Sequence, residues 1–272
     1  MACTSLFLLC GWVYLILYAE SQYEIELLFF GLASLEISAT SIVRRLIHQN
    51  PRYHAHHISE RYSEFTIIAF GECIISLSHA TTLKTSAFNF QAFAILCESM
   101  ALLFMLWWFY FLIPFGNVMD ENPKAAFRIG IGHFIIHASL AAFATGLYLI
   151  ARCVNNDSDH GHSSYTNTTE PVLSTKTASF MVSGPITTFI VSLPIVAGLP
   201  PIALLRVIFV GVLELLISAF LTPLVPLEIL MLLLCIPMFI LLLNVIWRGG
   251  VGPHLKAEIA QRQTEKSSQV NT

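Results

Sequence analysis

His54-Ala55-His56-His57-Ile58-Ser59-Glu60-Arg61-Tyr62-Ser63-Glu64-Phe65-Thr66-Ile67-Ile68-Ala69-Phe70-Gly71-Glu72 decides how the rest of the chain is read. A polar, histidine-rich lead-in runs without a break into an apolar stretch that still carries charge. On a helix turning about 100° per residue, Glu60, Arg61, Glu64, Gly71, Glu72 and His79 all fall within about 60° of His57. Thr66, Phe70, Cys73, Ile74 and Leu77 fall on the other side. One stripe is ionisable and the opposite one is compatible with lipid. A charged stripe inside an apolar span is expected to face other helices or a water-filled cavity. The plainer alternative is a helix-end salt bridge of Arg61 with Glu60 or Glu64, beside a neutral, hydrogen-bonded Glu72.

Composition agrees with a membrane reading. Of 272 residues, 56% are hydrophobic and only 11% are charged, whereas a soluble domain usually has about 25% charged residues. The class this predicts is all-α, a polytopic transmembrane bundle whose partner is the lipid bilayer. A net charge of −3 excludes a nucleic-acid footprint. The six cysteines form no Cys-x-x-Cys pair and read as small apolar residues. The N-terminus has no basic region or cleavage site of a signal peptide.

About eight apolar spans can be traced: Thr4 to Tyr18, Ile25 to Ile47, Ser63 to Thr82, Phe88 to Ile113, Ala125 to Ile150, Ala178 to Leu199, Ile202 to Leu221 and Val225 to Trp247. The first is short for a bilayer that needs about 20 residues. Trp107, Trp108 and Tyr110 form an aromatic belt at an interface. Pro114, Gly116, Asn117, Asp120 and Pro123 predict a loop, and Gly198-Leu-Pro-Pro201 a tight turn. Pro185 and Pro194 predict kinks. Residues 1–247 thus form the transmembrane domain, interrupted by a polar loop at 152–177. Residues 248–272 form a polar tail.

Lys84, Arg152 and Lys176 lie on one side of this layout, and the remaining Lys and Arg of the 14 lie on the other. The positive-inside rule then puts both termini in the cytoplasm and the 152–177 loop outside. That loop holds two N-glycosylation sequons, at Asn156 and Asn167, which fit a plasma membrane or endomembrane of a eukaryote.

The stretch from His57 to Glu72 resembles the signature of the low temperature requirement protein A family. That family carries a His-x-x-Glu-Arg run leading into an apolar stretch that closes on Gly-Glu. His57, Glu60, Arg61, Gly71 and Glu72 are the positions carried over. The resemblance implies a multi-pass membrane protein and no settled reaction. Family members usually have more helices upstream, beginning near an acidic Leu-Phe-Phe-Asp motif, of which Glu26-Leu-Leu-Phe-Phe-Gly31 is a weak echo. The resemblance therefore implies an N-terminally shortened member.

Depth supplies the candidate chemistry. Glu36, Glu72, Glu98, His137 and Glu214 each lie about 12–18 Å from an end of their span. Five helices thus put an ionisable group near the midplane, where a charge costs about 2.5–3.5 kcal/mol on insertion scales. A shared centre would have to be partly protonated or hold a cation. Alternatively, neutral carboxyls hydrogen-bond between helices and hold the bundle together. His57, Glu60, Arg61 and Glu64 would form the cytoplasmic mouth of such a path. His133 and His137, four residues apart, share a helix face and could chelate a transition metal. Apart from that pair, no cofactor is implied. No phosphate loop or nucleophile elbow is present, so an ATP-driven pump or a serine hydrolase is not expected.

The leading expectation is proton- or cation-linked transport or channel activity. The alternatives are an intramembrane metal-dependent enzyme built on His133 and His137, and a non-transporting sensor or scaffold.

Overall fold

The computed structural model describes residues 2–18, 21–47, 54–81, 90–122, 125–159 and 174–247. Among these, every regular element is a helix. They are α1 (Ala2–Tyr18), α2 (Gln22–Ile47), α3 (Ala55–Thr81), α4 (Phe90–Phe111), α5 (Phe115–Glu121), α6 (Ala125–Asp159), α7 (Thr175–Ala197), α8 (Pro201–Leu221) and α9 (Leu227–Trp247). The chain divides into two compact units, Met1–Tyr53 and His54–Thr272. The tail from 248 and the Asn167 sequon lie outside the described residues. Asn156 falls in the last turns of α6, its side chain outside the description.

By length and composition, five segments can cross a membrane: Phe90–Glu121, Ala125–Cys153, Thr175–Ala197, Pro201–Leu221 and Leu227–Trp247. The three earlier helices are less plainly spans. The apolar part of α1, Leu6–Leu17, is short. Glu24, Glu26, Glu36, Arg44 and Arg45 load α2 with charge, as Glu60, Arg61, Glu64 and Glu72 load α3.

The first unit is a helix pair. Gly11 lets α2 come close, since a Cβ there would sit 2.6 Å from the Leu32 side chain. Trp12 meets Phe29 edge-on at 5.6 Å.

In the second unit, side-chain contacts fix the helix directions. Thr66 meets His137 and Cys73 meets the Leu140 carbonyl, so α3 and α6 run parallel. Gln91 meets Glu228 and the Glu98 carbonyl meets Cys235, so α4 and α9 also run parallel. A Cβ on Gly132 would lie 2.1 Å from Val196, and one on Gly146 would lie 2.1 Å from the Met181 carbonyl oxygen. The α6–α7 pair is therefore antiparallel and touches backbone to backbone at Gly146. Lipid tails are as apolar as leucine, so close packing through small residues, rather than hydrophobic exclusion, drives such contacts. The turn into α8 places Gly198 at φ 72°, a left-handed position that suits glycine. The Arg128 Nε–H donates to the Val196 carbonyl at 3.0 Å and caps the end of α7.

Two sequence expectations change. The segment after Ile113, expected as loop, contains α5. Its Phe115, Val118 and Met119 are buried at helical spacing, and this pattern outweighs the Pro and Gly punctuation around it. His56 reaches across from α3 to Asp120 of α5 at 2.9 Å. The facing of α3 is also reversed. Thr66, Phe70, Cys73 and Leu77 are buried in the unit, while Glu60, Arg61, Glu64 and Glu72 are exposed. The stripe expected to meet lipid meets protein instead. Its hydroxyl and thiol find acceptors there. Thr66 donates to the Tyr62 carbonyl at 2.7 Å, and Cys73 sits 3.5 Å from the Leu140 carbonyl.

Candidate functional site

Two buried polar clusters occupy the second unit, at different depths. The first lies where α3, α4 and α6 meet. Its geometry fixes the state of two histidines. The His133 Nδ1–H donates to the Ile129 carbonyl at 2.7 Å, as the intrahelical i–4 geometry allows. Its Nε2 is then an acceptor, and the Tyr110 hydroxyl donates to it at 3.0 Å. The Thr66 hydroxyl already donates to Tyr62, so it accepts from the His137 Nε2–H at 2.9 Å. Tyr62 stacks on His133 at 4.2 Å, and Phe65 meets His137 edge-on at 4.6 Å. Gly130 leaves room for this stack, because a Cβ there would lie 3.2 Å from the Tyr62 hydroxyl. The hydroxyls of Thr66 and Ser63 also adjoin the Tyr110 phenol. A hydroxyl-bridged path therefore links the two imidazoles across three helices.

The same bonds bear on metal binding. Both Nε2 atoms are engaged by hydroxyls, and the rings are 5.7 Å apart. Among the described residues, no group of three or more His, Cys, Asp or Glu is placed to hold a metal.

The second cluster lies among α4, α7, α8 and α9. Glu214 is fully buried, and among the described residues neither carboxylate oxygen has a hydrogen-bond partner. Thr187 donates to the Gly211 carbonyl at 3.1 Å, which sets the α7–α8 register. That register puts Ser183 at the level of Glu214 and Ser179 at the level of Ser218. All three serines are fully buried with unpartnered hydroxyls. On α4, Glu98 Oε2 and the Ser99 hydroxyl are buried and unpartnered too. Cys235 of α9 stands between the two acids, near enough for both carboxylates to act on its thiol. Ionisable and hydroxyl groups buried among apolar helices mark a candidate path for a proton or a cation.

The sequence candidates are thus distributed. Glu98 and Glu214 share the second cluster, and His133 and His137 share the first. Glu72 is exposed on α3. Gly71 has open space where a Cβ would go. Glu36 is exposed in the first unit. Arg61 pairs with Glu64 at 2.9 Å and His57 with Glu60 at 3.9 Å, all four exposed. Sequence reasoning missed Tyr62, Thr66 and Tyr110, and also the serines. The serines did leave a signal. Ser179, Ser183 and Thr187 recur every four residues on one helix, as do Glu214, Ser218 and Thr222 on the next.

Residues 1–246 match the family model described as the bacterial low temperature requirement A protein, LtrA. The chain belongs to the LtrA family. It is accordingly a multi-pass membrane protein, consistent with its five long apolar helices. No match was found among curated proteins or among solved structures. In this LtrA protein, the signature stretch contributes Tyr62 and Thr66 to the histidine cluster, while its charged residues point outward.

Proposed function

We propose that this LtrA family member carries out proton- or cation-linked transport or conduction, with Glu214 at the centre of the path. The observation that carries the reading is the state of Glu214. A carboxyl that merely tied helices together would have a partner across the interface. Glu214 has none, and the hydroxyls of Ser183 and Ser218 beside it are equally unengaged. An ionised carboxylate in that setting needs a cation, and a protonated one can exchange its proton. Either state suits a site that loads and unloads.

Helix direction supports an orientation. Arg61, Arg128 and Arg206 lie within the first two turns of α3, α6 and α8, which all start at the same end of the unit. The positive-inside rule assigns that end to the cytoplasm. The end of α6 and the start of α7 then lie on the far side, and the polar stretch expected as loop from residue 152 is helical to Asp159 and again from Thr175.

The test uses purified full-length protein in liposomes loaded with a pH-sensitive dye, under imposed proton and alkali-cation gradients. Flux should be present and should be lost in Glu214→Gln, which keeps shape but cannot titrate. A Glu214→Gln protein with native helical content and undiminished flux would overturn the reading.

A further inference from the structure

At the opposite end from Glu98 and Glu214, α4, α7, α8 and α9 diverge around a cavity of about 360 Å³. Its walls are apolar, including Phe109, Leu193, Val207 and Leu241. Two lining residues break the pattern, Arg206 of α8 and Asn244 of α9. Both lie close to helix ends. Arg206 is about 7.5 Å from the start of α8 and Asn244 about 4.5 Å from the end of α9, at 1.5 Å per residue. The polar pair therefore sits at the level of the membrane interface, and the apolar walls continue inward from it.

Arg206 has no carboxylate partner among the described residues. The other arginines whose side chains are described are accommodated. Arg61 pairs with Glu64, Arg128 caps α7, and Arg152 lies over the Tyr148 ring. An arginine beside an apolar cavity and without a counter-charge leaves a planar guanidinium fork available to a carboxylate. Asn244 adds an amide donor to the same rim. The volume is at the low end of the range for small-molecule pockets, about 300–1,000 Å³. It suits one aliphatic chain.

We propose that this cavity is a binding site for a single-chain amphipathic carboxylate. The carboxylate is held by Arg206 and Asn244, and the chain lies between Phe109, Leu193, Val207 and Leu241. The charge decides against an organic cation, and the apolar wall decides against a small hydrophilic anion. The site is separate from the buried acids, and it stands or falls on binding alone.

Full-length protein in nanodiscs of phosphatidylcholine is the material, and radiolabelled decanoate is the probe. Decanoate should bind saturably, and decylamine and decanol should compete poorly. Arg206→Gln should weaken binding about ten- to hundred-fold, the usual range for a lost charge-assisted pair. Arg206→Lys should recover part of it, since the charge returns without the fork. Ala203→Phe should abolish binding by filling the cavity while leaving Arg206 in place. The proposal is overturned if decylamine competes as well as decanoate. It is also overturned if Arg206→Gln and Ala203→Phe both bind normally. Saturable binding of labelled phosphatidylglycerol, with no saturable decanoate binding, would assign the cavity to a membrane phospholipid and equally overturn it.

Discussion

Replacing Glu214 by methionine should stabilise the protein while abolishing the proposed flux. Methionine is unbranched, of similar length, and adapts to irregular space. In the native protein, the Glu214 side chain is fully buried and both of its oxygens lack partners. A buried polar group without a partner costs about 1–3 kcal/mol, and removing it should return that amount. For a chain of this size, about 2–4 °C of midpoint corresponds to 1 kcal/mol, so the rise should be about 2–12 °C. Thermal unfolding of wild type and Glu214→Met in the same detergent, with choline replacing alkali cations, gives the comparison. Glu214→Gln should gain less, because an amide is still polar. A lower midpoint for Glu214→Met would mean that the carboxyl is bonded in the native fold. The case for Glu214 as an exchanging group would then be lost.

Tyr110→Phe leaves the buried His133 Nε2 without its donor, so it should cost about 1–3 kcal/mol in the same unfolding assay. A cost below about 0.5 kcal/mol would show that the hydrogen bond is not formed. Gly146→Ala drives a methyl group into the Met181 carbonyl oxygen. It should destabilise by about 1–3 kcal/mol, whereas Gly71→Ala should be neutral or stabilising by up to about 1 kcal/mol through helix propensity. Equal effects at the two glycines would contradict the close α6–α7 approach. Arg61→Ala should cost less than about 1 kcal/mol, because both members of its ion pair are exposed. A larger loss would mean that Arg61 engages something beyond Glu64.

The helices themselves were legible because length and hydropathy report burial in lipid directly. The turn at Gly198 to Pro201 was legible because its residues permit little else. Two things were not. The short α5 falls between Pro114 and Pro123, where local punctuation argues for loop. Only the packing of Phe115 and Met119 makes it a helix. The facing of α3 was misread because charge in a span was taken to point inward. In the folded unit, the inward positions go to residues that can bond at short range to α4 and α6, namely Tyr62, Thr66 and Cys73. A glutamate or arginine exposed at the helix start can reach water by its own length. The two histidine partners were invisible for a different reason. Tyr110 and Thr66 lie 23 and 71 residues from the imidazoles they bond, and no pattern in a single sequence links positions so far apart.

The two glycine contacts between α6 and α7 have a mechanical consequence. Gly132 and Gly146 are spaced about 21 Å along the helix at 1.5 Å per residue; Gly132 seats the Val196 side chain, and Gly146 rests directly on the Met181 backbone. Two such rivets prevent both sliding and rolling, so the pair behaves as a stator. If the protein cycles between states, the displacement must be carried by α8 and α9. Spin labels placed across α6 and α7 should therefore report one distance throughout the cycle, and labels between α6 and α9 should report two.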